Sequence, residues 1–137
     1  MITLILGKKG SGKTKKLMDL CNQAVATSKG NVLFIEKDNT LTYNLNHKVR
    51  LAAADEYAIK GFDSFYGFIA GMCAGNYDIT DIFVDSTLKI GGDTAELLLF
   101  VEKLKALSEM ADTNIVLSVS ADRDEIDARI MELVTEI

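Results

Sequence analysis

Eight consecutive residues near the N-terminus, Gly7-Lys8-Lys9-Gly10-Ser11-Gly12-Lys13-Thr14, combine two things that holding a chain of phosphates demands. Gly7, Gly10 and Gly12 leave the backbone free to wrap closely and to turn successive N–H groups inward without side-chain obstruction. Five lysines, Lys8, Lys9, Lys13, Lys15 and Lys16, crowd into residues 8–16, where a polyphosphate would supply the compensating charge. Carboxylates follow three apolar runs farther along: Glu36 after Val32-Leu33-Phe34-Ile35, Asp55 and Glu56 beyond Val49-Arg50-Leu51-Ala52-Ala53, and Asp85 after Ile82-Phe83-Val84. His47, the single histidine, lies beside Lys48 and Arg50 and reads as a loop residue. Cys21 and Cys73 stand 52 positions apart with no Cys-x-x-Cys spacing, which excludes a zinc site built on cysteine and histidine. Both read as reduced, half-buried packing residues.

The elements that must position these groups are legible from periodicity. Ile2-Thr3-Leu4-Ile5-Leu6 is a short apolar run ending at Gly7, as expected of a strand buried on both faces of a parallel sheet. A helix is predicted over residues 13–28, with Leu17, Leu20, Cys21, Ala24 and Val25 on one side and Gly30 as its stop. Val32–Ile35 reads as the next strand, 39–48 as a loop and 49–53 as a third, weaker strand. Phe65, Phe68, Ile69 and Met72 mark a helix from about Asp63 to Gly75. The aromatic-glycine series around it (Phe62, Phe65, Tyr66, Phe68 with Gly61, Gly67 and Gly71) reads as helix–sheet packing and not as a base-stacking platform.

Residues 79–85 form a strand running into Asp85, and Gly91-Gly92 opens a turn. Asp93 with Glu96 resembles a capping box before a long helix whose buried stripe is Leu97, Val101, Leu104 and Leu107. Residues 115–120 give a fifth strand that turns polar at Ser118 and Ser120. A last helix is predicted from Ile126, Ile130, Leu133, Val134 and Ile137. Alternating strands and helices imply an α/β fold, a mainly parallel five-stranded sheet with helices on both faces, and ligands bound outside the carboxyl ends of the strands.

At 137 residues and 48% hydrophobic, the chain fits one domain, residues 1–137. No apolar run approaches the roughly 18 residues of a membrane span, so a soluble, cytoplasmic protein without membrane partners is expected. The net charge of −5 is uneven: residues 1–69 carry 10 Lys+Arg against 6 Asp+Glu, and residues 70–137 carry 5 against 14. The acidic C-terminal half argues against nucleic acid as a partner of that surface.

The spacing Gly-x-x-x-x-Gly-Lys-Thr at residues 7–14, directly after a strand and opening a helix, resembles in full the Walker A motif of the P-loop nucleoside triphosphatases. Ile82-Phe83-Val84-Asp85 resembles their Walker B strand. The resemblance implies the three-layer P-loop fold and a nucleoside triphosphate as ligand. It implies further that Lys13 reaches the β- and γ-phosphates, that the helix N-terminus adds its dipole, and that Thr14 and Asp85 hold Mg2+. Asp81, four residues from the strand tip, is the weaker substitute. The guanine signature Asn-Lys-x-Asp is absent, Glu36-Lys37-Asp38-Asn39 being its nearest look-alike, so ATP is favoured over GTP.

The polar ending of the fifth strand is similar to the recombinase-like and motor-like branch, where a polar sensor sits between the two Walker strands. Within it, the order of elements over residues 1–121 resembles the bacterial-type thymidine kinase family. That family's zinc lobe and thymidine-binding lasso are absent, and the glutamate it places after the Walker B aspartate is Ser86 here. An arginine-rich lid is absent as well: Arg50, Arg123 and Arg129 are the only arginines. The expected function is therefore ATP binding with weak or partner-activated Mg-dependent hydrolysis, a switch completed by a protein partner or a second copy through Arg123 or Arg129. The alternatives are a small-molecule, nucleoside-like kinase and a non-catalytic nucleotide-binding module. Glu36 and Asp55 are the candidates for positioning an attacking water, beside Lys13 as the catalytic cation.

Overall fold

The computed structural model describes residues 1–39 and 45–137. Six parallel strands form one sheet: β1 (Ile2–Leu6), β2 (Asn31–Glu36), β3 (Arg50–Ala53), β4 (Ile79–Val84), β5 (Asn114–Val119) and β6 (Thr135–Glu136), in spatial order β3-β2-β4-β5-β1-β6. The α-helices of the described residues are α1 (Lys13–Thr27), α2 (Phe62–Gly75), α3 (Thr87–Gly91) and α4 (Leu97–Ala111). Among these residues no helix is long and apolar enough to cross a membrane.

The strands are apolar almost throughout because both faces of the sheet are covered. On one side Ile5, Val32, Phe34, Phe83 and Val116 pack with Leu17, Met18 and Cys21 of α1. On the other, Leu4, Ile35, Ile82, Val84 and Leu117 meet Phe65 and Ile69 of α2 and Phe100, Val101 and Leu104 of α4. Each fully buried aliphatic or aromatic side chain here contributes roughly 1.5–3 kcal/mol. The Phe100 ring takes Phe62 at 4.8 Å and Phe65 at 5.3 Å between centroids, so these aromatics join α2 to α4 as packing.

Several expectations need correction. The sheet has six strands, not five, because the C-terminal segment adds β6 beside β1. The predicted last helix is instead two 3₁₀ turns, Arg123–Glu125 and Ala128–Glu132, followed by β6. Asp122 and Asp127 cap these turns, and Ile126 and Ile130 are buried at a spacing that mimics a helix. What overrides the helix is the open edge of β1: Thr3 and Leu4 pair with Thr135 and Glu136, and the Ile137 N–H donates to the Leu4 carbonyl at 3.0 Å. Asp93 caps a 3₁₀ turn, Thr94–Glu96, that leads into α4, accepting from the Ala95 N–H. The short helix α3, unforeseen, fills the space between β4 and Gly92. Cys21 and Cys73 are free and buried, not half-buried. The expected loop over 39–48 falls partly on residues 40–44, which lie outside the described residues.

Candidate functional site

All six strands run the same way, so the residues after β1, β4 and β5 emerge at one edge of the sheet. β5 lies between β1 and β4, which puts the glycine-rich loop after β1 roughly 10 Å from the tip of β4, two strand spacings away. A cavity of about 420 Å³ fills that interval, lined by Lys9, Gly10, Gly12, Lys13 and Thr14 from the loop, by Asp85, Ser86 and Lys89 beyond β4, and by Ser118 and Ser120 at the end of β5.

The loop turns into α1 at Gly12, the residue that caps the helix, with φ 89° and ψ 16°. This is the left-handed region, where a β-carbon costs roughly 1–2 kcal/mol. The first turn of α1 has no side-chain cap on its N–H groups, and Gly12, Lys13 and Thr14 at its start line the cavity. Lys13 follows at once, 9% exposed, and its Nζ donates to the Lys8 carbonyl at 2.9 Å. Burial holds its ammonium below the ordinary 10.5, and the nearby Asp85 carboxylate opposes that shift.

Asp85 is the centre of the hydrogen bonding. Its Oδ1 accepts from the Thr14 hydroxyl at 2.9 Å, across 71 positions of sequence, and from the buried Ser118 hydroxyl at 3.2 Å. Ser118 Oγ in turn accepts from the Ser86 N–H at 2.8 Å, and the Ser86 hydroxyl donates to Asp85 Oδ2 at 3.4 Å. Ser86 stands at φ 53° and ψ 56°, a left-handed conformation that a non-glycine residue rarely takes. The Ser118 bond secures it, and the sharp turn that results starts α3 immediately above Asp85.

The other acidic candidates stand elsewhere. Glu36, buried at the end of β2, is one strand over from Asp85, whose N–H donates to the Ile35 carbonyl at 2.9 Å; it does not line the cavity. Asp55 lies beyond β3, farther along the edge, in an exposed ion pair with Lys37 at 3.0 Å. Asp81 sits lower on β4 beside Asn114, away from the strand tip. His47 is exposed. Gly7 begins the turn, where a β-carbon would come within 2.5 Å of Ser11 Oγ, and Lys8 makes a long surface contact with Asp122 at 3.8 Å. Arg123 is bound to Glu136, and Arg129 to Asp127 through Nη2 at 2.7 Å.

Sequence reasoning had no means to find Lys89. It is the only lysine or arginine in residues 61–102, a signal in retrospect, but its helix is too short to leave a periodic trace. Chemically the cavity offers backbone N–H donors, three lysines against one carboxylate, and oxygen donors gathered at Thr14 and Asp85. Such a set suits a polyanion accompanied by a hard cation. No protein-family model matches the chain and no curated protein matches it, which leaves the functional reading to the site's own chemistry.

Proposed function

We propose that this chain is a P-loop nucleotide-binding protein that holds a nucleoside triphosphate, ATP in preference to GTP, together with Mg2+, and hydrolyses it weakly or only when a partner completes the site. The observation that carries the reading is the meeting of Thr14 and Asp85 at 2.9 Å beside a loop that bears Lys13. Two short patterns 71 positions apart converge with the chemistry each would need. The position of β5 between β1 and β4, with Ser118 on Asp85, fits the recombinase-like and motor-like branch and its three-layer fold.

On this reading the loop N–H groups and Lys13 bind the phosphate chain, Lys13 exchanging the Lys8 carbonyl for a phosphate oxygen. Thr14 and Asp85 are the residues that would hold Mg2+. A hydroxyl and a single carboxylate fit that ion, which is commonly bound by one or two carboxylates plus phosphate and water. Bound there, the metal would supply charge neutralisation along the phosphates. Ser118 and Ser86 keep the Asp85 carboxylate oriented.

Slow turnover follows from what lines the cavity. Its one carboxylate, Asp85, is committed to hydroxyl partners, and Ser86 stands where a basic carboxylate would be most useful. The same feature favours the second reading, a nucleotide-binding module without turnover. Titrating ATP, GTP and ADP with and without Mg2+ tests the proposal. Mg2+-assisted binding of triphosphate is expected, and failure to bind any of the three would end it. Turnover in wild type and in Glu36→Gln then separates a weak ATPase from a silent module: measurable hydrolysis that Glu36→Gln abolishes would give Glu36 the water-positioning role, and unchanged hydrolysis would remove it.

A further inference from the structure

The geometry points to Lys89 as a built-in reader of the terminal phosphate, a cation supplied by this chain's own α3 that distinguishes a nucleoside triphosphate from a diphosphate. The inference rests on the nucleotide-binding reading above and adds to it the basis of discrimination.

Three observations carry it. First, Lys89 lines the cavity on the wall opposite the glycine-rich loop, on the side of Asp85 and Ser86. A phosphate chain seated on the loop with its outer end toward Thr14 and Asp85 would present its last phosphate to that wall. Second, Lys89 is the one exposed residue of a helix otherwise fixed in place. Thr87, Ile90 and Gly91 are buried, the Ile90 carbonyl accepts from the Gly61 N–H at 2.9 Å, and Gly91 lies so close to Phe62 that a β-carbon would come within 2.2 Å of the ring. The left-handed Ser86 sets the start of this helix over the cavity, so the lysine is offered from a rigid base. Third, Lys89 forms no ion pair among the described residues, whereas Arg123 and Arg129 are both engaged with carboxylates of their own segment. The cavity is thus lined by a cation of this chain that is not committed to an ion pair among the described residues.

The test is a pair of affinities for each protein: a non-hydrolysable ATP analogue and ADP, both with Mg2+, for wild type, Lys89→Ala, Lys89→Arg and Lys13→Ala. Losing a charge-assisted contact to one phosphate should weaken the analogue roughly ten- to hundred-fold in Lys89→Ala. ADP affinity should stay within about twofold, which also reports that the variant is folded. Lys89→Arg should recover at least part of the preference, and Lys13→Ala should weaken both ligands. Equal weakening of both ligands in Lys89→Ala, or no weakening of either, would overturn the role of Lys89 while leaving the nucleotide site standing. Failure of wild type to bind either ligand would instead remove the underlying reading and the inference with it.

Discussion

The two edges of the sheet are built from the same strands and differ in what they do with polar residues. At the amino-terminal edge a cavity of about 510 Å³, larger than the proposed site, is lined by Asn31, Lys48, Arg50 and Asn76 among apolar neighbours. Its polar groups mostly close the fold. Asn76 Nδ2 donates to Asn31 Oδ1 at 3.0 Å, the Asp78 N–H donates to Asn76 Oδ1 at 2.9 Å, and the Asn31 N–H donates to the Asp78 carbonyl at 2.7 Å. At the carboxyl edge, the hydroxyls of Thr14, Ser86 and Ser118 converge on one carboxylate, Asp85, with the buried Lys13 and the exposed Lys9 and Lys89 lining the same cavity. Size does not separate the two cavities; convergence of charge on a desolvated centre does.

The largest expected effect sharpens that contrast. Lys13→Ala should lower triphosphate affinity on the order of a hundredfold or more, since it removes a buried cation from the proposed polyanion site. Arg50→Ala, at the other edge, should leave it within about twofold. Calorimetric titration of both variants checks this, and a loss in Arg50→Ala as large as in Lys13→Ala would erase the distinction. Asp85→Asn comes next: it keeps the shape and removes the charge, so the gain in affinity on adding Mg2+ should disappear while metal-free binding survives. Titrations with Mg2+ and with EDTA measure the difference, and a metal response equal to wild type would take Asp85 out of the site.

Ser118→Ala should cost about 1–3 kcal/mol of stability, because the Ser86 N–H loses its acceptor beneath a strained turn. Urea denaturation measures it; a loss below about 0.5 kcal/mol, the range of ordinary surface changes, would show that the turn holds without Ser118. The smallest effect concerns pH. Burial first, and Asp81 second, push the Cys21 thiol from the ordinary 9.0 up to about 12. The native thiol therefore stays protonated where the unfolded one ionises, the unfolded state binds fewer protons, and stability falls as pH rises from 9.0 toward about 12. Cys21→Ala should flatten that alkaline decline in thermal melts at pH 8 and pH 10. A decline of the same slope in the variant would assign it to other groups.

Much of this was legible in the residues. β1, the loop and α1 announce themselves because glycine spacing and an apolar strand are local signals, and Asp85 ends a run that only a buried strand explains. The pairing of Thr14 with Asp85 depends on strand order, which periodicity does not carry; Ser118 could be placed at the end of β5 from sequence, but not against Asp85. The C-terminal segment misled because Ile126 and Ile130 are spaced like one helical face, while the preference that decides it, pairing with the open edge of β1, comes from 132 residues earlier in the chain. Lys89 escaped for a similar reason: a five-residue helix held by Ser86, Phe62 and Gly61 owes its position to tertiary contacts and not to its own pattern.

The most direct measurement is a crystal structure of the chain soaked with a non-hydrolysable ATP analogue and Mg2+. Phosphate density along the loop from Gly10 to Thr14, with the metal at Thr14 and Asp85 and the outermost phosphate toward Lys89, is the expected result. Nucleotide seated at the amino-terminal edge beside Asn31 and Arg50, or absent from a loop left unchanged at saturating ligand, would contradict it.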